Sequence, residues 1–310
     1  MDLPNPIRNR SICPWQLRTR TLHLGRRTLI MGVVNITPDS FSDGGSFLAP
    51  EAAIAHAMRL LEEGADILDL GAESTRPGAR AGGASPESVP AVSAEEEQAR
   101  LLPVLAGILK GLPHAVVSID TYKAATARAA LAAGAEIVND VSGFTWDPRL
   151  PAVCAESRCG VILMHTRGRP EQWRNQPQLD SETLIAMVRD GLAASLARAK
   201  HTGIASESIM LDPGYGFGKR FNENFSLLAR QQELLVLGRP LLAGLSRKSF
   251  LGHAIAPLYG DQGAPVRARE TASIAALVAA ILHGASIVRV HEVRPAIEAA
   301  CIADAILNAN

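Results

Sequence analysis

The sequence predicts an α/β protein, a single (β/α)8 barrel of the TIM type, and three observations support this fold class. Short apolar runs alternate with Ala- and Leu-rich stretches of helical spacing eight times along the 310 residues. The runs are apolar without alternation, which is typical of parallel strands buried on both faces. No glycine fingerprint follows the first run, although one usually does in an open doubly wound sheet.

Each repeating unit is a strand followed by a helix. The strands are predicted at Leu29–Asn35, Ile67–Ala72, Val116–Asp120, Glu136–Asp140, Gly160–His165, Ser208–Asp212, Pro240–Ser246 and Ser286–His291. The helices are predicted at Pro50–Glu63, Ala94–Lys110, Lys123–Ala133, Pro148–Glu156, Ser181–Thr202, Glu223–Leu235, Ala268–His283 and Arg294–Leu307. Gly64 and Gly134 each stand between a helix and the next strand, where a helix-ending glycine is expected.

The units predict one barrel domain with a short addition at its beginning. We expect residues 1–27 to form an N-terminal extension that caps the bottom of the barrel. Residues 28–310 then form the barrel domain, with a length that is usual for this fold. The segment 77–93 is rich in Gly, Ala, Pro and Ser and is long for a connection between strand and helix. Loops of this length are commonly functional.

Composition excludes several classes of partner. The 31 basic and 31 acidic side chains cancel, which argues against a broad nucleic-acid surface and against binding to anionic membranes. No apolar run reaches the ~18–20 residues of a membrane span, and no signal peptide is visible. The four cysteines form no C-x-x-C pair, so we expect reduced thiols and a cytoplasmic protein. Small molecules remain as partners.

Polar side chains gather at the predicted C-terminal ends of the strands, the end of such a barrel that carries active sites. They are Asn35, Asp120, Asn139, Asp212, Lys248, Arg289 and His291. Asp120, Asn139 and Asp212 offer carboxylate and amide groups, which suit the fixed donors and acceptors of a polar heterocycle. The neighbouring charges of Lys248 and Arg289 are expected to keep the two carboxylates ionised.

A second predicted group at the C-terminal ends of the strands, which we call the rim, is cationic and rich in hydrogen-bond donors. It consists of Thr75, Arg76, Arg289 and His291, together with Asn35. Such a group suits a phosphate or a diphosphate. The amide oxygen of Asn35 can serve Mg²⁺, an ion that takes few protein ligands when substrate phosphates supply the rest.

Other polar residues are interpreted as structural. We expect Lys219, Arg220 and Arg247 to be solvated surface charges, and Asp140 to bind backbone only. His165 follows a predicted strand and is compatible both with a core histidine and with a site residue.

Eight segments resemble the dihydropteroate synthase family of folate biosynthesis in order and in spacing. They are MGVVNITPDSFSDGG (Met31–Gly45), GADILDLGAESTRPGA (Gly64–Ala79), SIDTYK (Ser118–Lys123), AGAEIVNDVSG (Ala133–Gly143), LMH (Leu163–His165), LDPGYGFGK (Leu211–Lys219), PLLAGLSRKSFLG (Pro240–Gly252) and IVRVHEV (Ile287–Val293). The resemblance implies that 4-aminobenzoate displaces diphosphate from (7,8-dihydropterin-6-yl)methyl diphosphate to give 7,8-dihydropteroate. It also implies Mg²⁺ as cofactor and a homodimer.

The resemblance further implies roles for single residues. Catalytic roles fall on Lys248, Asp120, Asp212 and Arg289. The pterin site corresponds to Asp120, Asn139, Asp212, Phe217 and Lys248, and the metal ligand to Asn35. The diphosphate and loop contacts correspond to Thr75, Arg76, Arg289 and His291. The aminobenzoate pocket corresponds to Phe41, Pro77, Lys248 and Ser249.

Two alternatives stay open at this point. A pterin-dependent methyltransferase domain would share the barrel and the pterin residues but would have no use for a diphosphate cluster. A non-catalytic pterin-binding paralogue would bind the heterocycle without turnover. Gly82–Pro90 looks inserted relative to the family, which keeps the paralogue in view.

Overall fold

Eight parallel strands close into a barrel in the computed structural model, which describes residues 10, 12–36, 50–73, 92–260 and 264–309. The strands are β3 (Leu29–Asn35), β4 (Ile67–Gly71), β5 (Val117–Asp120), β6 (Ile137–Asp140), β7 (Gly160–Met164), β8 (Ile209–Asp212), β9 (Leu241–Ala243) and β10 (Ala285–Val290). β10 pairs with both β3 and β9 and so closes the ring. The predicted fold class is confirmed.

Helices follow the strands and cover the outside of the barrel. They are α1 (Pro50–Glu62), α2 (Ala94–Gly111), α3 (Ala124–Ala132), α4 (Leu150–Ser157), α5 (Ser181–His201), α6 (Phe221–Ala229), α7 (Ser249–Ile255), α8 (Arg269–Leu282) and α9 (Val293–Asn308). α7 was not predicted. The single helix predicted at Glu223–Leu235 was wrong, because α6 ends at Ala229 and a separate 3-10 segment, Gln231–Leu237, follows it.

Strand β9 is shorter than the sequence indicates. It ends at Ala243, whereas the apolar run predicted a strand as far as Ser246. The chain leaves the barrel at Gly244 and passes through Arg247, whose φ of 60° lies in the left-handed region. That conformation is incompatible with an extended strand. Lys248 and Ser249 consequently stand at the beginning of α7.

An antiparallel hairpin precedes the barrel and closes its bottom. It consists of β1 (Cys13–Gln16) and β2 (Thr21–Leu24). Trp15, Leu17 and Leu24 are fully buried in one cluster with residues from the barrel strands, which we call the floor: Leu29, Met31, Ile67, Val116, Ile137, Ile162, Met210, Leu242 and Ile287. The Trp15 indole N–H donates to the carbonyl of Ser208 at 3.0 Å. The predicted cap is confirmed, while the domain boundary at 27/28 stays a prediction.

None of the helices within these described ranges is long and apolar enough to cross a membrane.

We expect Trp15→Ala to lower the free energy of unfolding by about 3–5 kcal/mol, because it opens a cavity between hairpin and floor. Urea unfolding followed by circular dichroism measures this difference. Ile12→Ala is the matched control, because Ile12 is 61% exposed beside the same hairpin and should change stability by less than about 0.5 kcal/mol. Equal losses of unfolding free energy in the two variants would contradict a stabilising role for the packing of Trp15 on the floor.

Candidate active site

A layer of polar side chains lies directly above the floor. Because side chains alternate along a strand, residues two positions apart face the same side. The residues two positions after Ile67, Ile137, Met210 and Ile287 of the floor are Asp69, Asn139, Asp212 and Arg289. Four strands thus place two carboxylates, an amide and a guanidinium inside the barrel.

Arg289 connects this layer across three strands. Its Nε donates to Asp69 Oδ2 at 2.6 Å, and its Nη2 donates to Asp120 Oδ2 at 2.8 Å. The Asn139 amide also donates to Asp69 Oδ2, at 3.0 Å. The arrangement brings the predicted residues Asp120, Asn139 and Arg289 into one hydrogen-bonded group centred on Asp69.

Sequence reasoning missed Asp69. The residue is fully buried, and its Oδ1 forms no hydrogen bond with the described residues. Its signal in the sequence is a single charge between Leu68 and Leu70 in a strand that is otherwise apolar on both faces. A buried carboxylate needs a partner, so such a charge points toward a cation inside the barrel.

Asp212, Lys248 and Phe217 lie at the same end of the barrel. We call this end, with Asp120, Asn139 and Arg289, the mouth. Asp212 Oδ1 accepts a hydrogen bond from the backbone N–H of Gly214 at 2.7 Å. The Lys248 ammonium lies 3.9 Å from the centre of the Phe217 ring, a cation–π contact. Gly216 lies so close to Lys248 that a Cβ there would be 3.3 Å from its Cδ.

Burial opposes the ionisation of Asp120 and Asp212 that the neighbouring cations were expected to maintain. Burial raises the pKa of Asp120 to about 7, and this effect exceeds the opposing attraction of Arg289, while the Asp69 charge raises it further. Burial also raises the pKa of Asp212 above its ordinary value, against the hydrogen bond from Gly214 and the charge of Lys248. Desolvation of the ionised form therefore outweighs the neighbouring cations.

The two cations of the mouth respond differently to burial. Burial lowers the pKa of Lys248 to about 8, although the carboxylates of Asp212 and Asp120 partly restore it. For Arg289, burial lowers the pKa, but Asp69 and Asp120 more than offset this and the pKa is raised overall. Arg289 is thus a permanent charge, whereas Lys248 titrates near neutral pH.

The predicted diphosphate cluster is described only in part. Asn35 is the last residue of β3 and is half-buried, and the imidazole Nδ1 of His291 lies 3.0 Å from the hydroxyl of Ser246. Thr75 and Arg76 fall outside the described residues, as do Phe41 and Pro77 of the predicted aminobenzoate pocket. Arg289, assigned to this cluster, reaches inward to the carboxylates instead.

Of the residues interpreted as solvated surface charges, Arg247 and Lys219 differ from the interpretation, and Arg247 is half-buried and pairs with Glu270 and Glu292. Asp140 accepts from the backbone N–H groups of Ser142 (2.8 Å) and Phe144 (2.6 Å), as expected. His165 is buried against Gly191, where a Cβ would lie 2.5 Å from its ring, and burial lowers its pKa. The prediction that Lys219 is a solvated surface charge is wrong, because only 6% of the residue is exposed.

A cavity of about 350 Å³ lies between the barrel wall and α8, and Arg289 is among its lining residues. Its lining includes Ser246, Arg247 and Glu270 but not Asp120, Asp212 or Lys248. The described residues contain no group of three or more His, Cys, Asp or Glu side chains that could hold a metal ion by themselves.

Comparison with known proteins decides the family. The sequence profile of the family described as "Pterin binding enzyme" matches residues 31–291. The chain belongs to this family. It is 42% identical over 282 residues to the dihydropteroate synthase of Synechocystis sp., covering 91% of each chain.

Solved structures of the pterin-binding enzymes agree with the barrel. The Xanthomonas albilineans dihydropteroate synthase with 4-aminobenzoic acid superposes with a TM-score of 0.83 at 38% identity, over 97% of this chain and all of that one. The same enzyme in complex with 7,8-dihydropteroate gives 0.80 at 36% identity, over 96% and 100% of the two chains. The predicted enzyme family is confirmed.

We expect Asp120→Asn to remove a pH dependence of folding stability. The folded-state pKa of about 7 exceeds the ordinary value of about 4 in an unfolded chain, so the folded protein binds the proton more tightly. The protonation of Asp120 therefore adds to the free energy of unfolding. This contribution is complete below about pH 4 and is lost as the pH rises to about 7.

Urea unfolding of both proteins at several pH values across this window measures the effect. The fall in stability with rising pH should be shallower in the variant. Asp190→Asn on the exposed face of α5 is the matched control and should keep the wild-type slope. Identical slopes for wild type and Asp120→Asn would contradict the raised pKa.

Proposed function

We propose that the chain is a dihydropteroate synthase, which joins (7,8-dihydropterin-6-yl)methyl diphosphate to 4-aminobenzoate and releases diphosphate. The observation that carries the proposal is the convergence of Asp120, Asn139, Asp212 and Lys248, taken from four sequence motifs, on one barrel mouth. The family membership supports it, because the named relatives are synthases.

The pterin ring is assigned to the deep half of the mouth. Asp212 has one carboxylate oxygen engaged by Gly214, which leaves Oδ2 to face an amino-pyrimidine edge. Asp120 and Asn139 supply further acceptors and donors, and Phe217 supplies an aromatic face. A carboxylate buried beside such a ligand forms charge-assisted hydrogen bonds, which are the stronger kind.

The diphosphate is assigned to the rim, with His291, Thr75 and Arg76 as the proposed donor and cationic groups, while Arg289 pairs with Asp69 and Asp120 and contributes its positive charge from the adjoining layer. Asn35 fits Mg²⁺, because its amide offers a hard oxygen at the end of β3 and the described residues hold no acidic cluster for a protein-only site. Such a site suits an ion that arrives with the diphosphate. When bound, Mg²⁺ neutralises charge on the leaving group.

The second substrate is assigned to Lys248 and Ser249 at the beginning of α7, and Phe41 and Pro77, which lie outside the described residues, are its further proposed contacts. Its amine attacks the pterin methylene, a C–N bond forms, the C–O bond to diphosphate breaks, and the amine gives a proton to solvent. An aromatic amine is largely unprotonated near neutral pH, so the chain needs no strong general base. Positioning and stabilisation of the leaving charge carry the catalysis.

We also propose a homodimer and a cytoplasmic location. The exposed side chains Phe221, Phe225, Leu258 and Tyr259 on and around α6 and α7 offer an apolar surface to a second copy. All four cysteines are free thiols, which suits a reducing compartment. Sedimentation velocity tests the dimer, and a single monomeric species at micromolar protein would overturn it.

The purified chain should release diphosphate only when both substrates and Mg²⁺ are present. A coupled diphosphate assay measures this, and chelation with EDTA should abolish the signal until excess Mg²⁺ is added. A methyltransferase domain would give no diphosphate under any of these conditions. A non-catalytic paralogue would bind the pterin substrate in a fluorescence titration and yet form no product, and either result would refute the proposal.

We expect Asp212→Asn and Lys248→Ala each to lower kcat/KM by about a hundredfold or more, because each removes a charged group that is proposed to contact substrate. The circular dichroism spectra should stay unchanged. Asp190→Asn and Lys200→Ala on exposed positions of α5 are the matched controls and should keep wild-type rates. Wild-type turnover in either site variant would exclude the assigned role.

A further inference from the structure

Lys219 is a buried lysine whose partners are backbone carbonyls. Its ammonium donates to the carbonyl of Gly214 at 2.8 Å, to that of His165 at 3.2 Å and to that of Phe217 at 3.4 Å. Gly214 and Phe217 belong to the loop between β8 and α6, and His165 directly follows β7. One side chain therefore ties this loop to the neighbouring strand.

The loop has a conformation that brings carbonyl oxygens together. Gly214, Gly216 and Gly218 all have left-handed φ values, of 71°, 81° and 71°. At Gly214 a Cβ would lie 1.9 Å from the carbonyl oxygen of His165, so no larger residue fits. Three carbonyl dipoles that converge on one point repel each other unless a cation or several donors lie between them.

The opposite face of the same loop forms part of the substrate site. Phe217 presents its ring to the Lys248 ammonium at 3.9 Å and packs edge-on against Trp173 at 5.1 Å between ring centres. Gly216 is fixed from the other side, because its N–H donates to the Asn224 side chain at 2.6 Å. The position of the loop between β8 and α6 thus sets the distance between Phe217 and Lys248.

We propose that Lys219 is a positioning residue: its ammonium cross-links the β8–α6 loop to the end of β7 and so holds Phe217 and Gly216 against Lys248 in the pterin site. The proposal rests on the proposed function, since it concerns affinity for the pterin substrate. Lys219 itself is assigned no contact with substrate.

The charge of Lys219 is sensitive to pH. Burial lowers its pKa to about 7. The carboxylates of Asp212 and Glu223 raise this pKa, whereas the positive charges of Lys248 and Arg167 lower it further. The buried imidazole of His165 stands beside the same group. A neutral amine has two N–H donors for three carbonyls, so the loop loses one hydrogen bond as the pH rises through this value.

The decisive comparison uses Lys219→Met, which keeps the length of the side chain and removes its charge. Pterin fluorescence titration of the full chain should give a Kd that is about tenfold to a hundredfold higher than in the wild type, because a displaced loop misplaces Phe217. In steady-state assays KM for the pterin substrate should rise similarly, while KM for 4-aminobenzoate stays unchanged. Lys200→Met on the exposed face of α5 is the matched control.

A rescue experiment separates positioning from general stabilisation. Lys219→Ala leaves a space that n-propylammonium can fill, and this cation should restore pterin affinity, whereas 1-propanol should not. A purely structural role predicts lower stability with unchanged Kd and KM in the folded protein, and that result would overturn the proposal. So would equal rescue by the cation and the alcohol.

A second measurement covers the case in which both neutral variants fail to fold. Lys219→Arg keeps its charge at every pH, so the change of pterin affinity between about pH 6 and about pH 8 should be smaller than in the wild type. Equal profiles would refute the proposal. If wild-type chain releases no diphosphate from the two substrates, the proposed function fails; if it does but Lys219→Met binds pterin normally, this inference alone fails.

Discussion

The interaction on which the barrel mouth depends is the contact of Arg289 with Asp69 and Asp120. It connects β10 to β4 and β5, and the side chain of Asp69 at its centre is fully buried while those of Arg289 and Asp120 are largely buried. Breaking a buried ion pair from one side costs about 3–5 kcal/mol, because it leaves an uncompensated charge. Asn139 also holds Asp69, so the positions of all four groups are mutually determined. The network therefore holds these four side chains in one fixed arrangement.

Burial, rather than charge pairing, sets the electrostatic state of the mouth. Asp120 and Lys219 have pKa values of about 7, and Lys248 of about 8, although each has at least one group of opposite charge beside it. Groups poised in this way change protonation for little free energy, about 1.4 kcal/mol for each pH unit. A ligand that brings its own charges can therefore adjust the charge of the mouth as it binds. Arg289 keeps its positive charge over this whole pH range.

Much of the fold could be predicted because each barrel strand is apolar on both faces, and β3 has the predicted bounds, Leu29–Asn35. The helix Ser249–Ile255 was missed because seven residues that include Gly252 give little periodic signal. Asp69 was missed because it lies inside a strand, whereas the polar residues that indicate a barrel site in a sequence stand at the strand ends. The burial of Lys219 depends on three carbonyls that only the folded backbone brings together. The roles assigned to the site residues remain predictions.

The hairpin of β1 and β2 affects how ligands reach the inside of the barrel. Trp15, Leu17 and Leu24 plug one end, and the side chains of the floor fill the space above them. Among the described residues, the hairpin and the floor close this end, so a molecule at the depth of Asp212 is reached from the C-terminal ends of the strands. On the assignment proposed above, the pterin substrate lies deeper than 4-aminobenzoate and therefore binds first, so the plug at the far end of the barrel sets the order in which the two substrates bind.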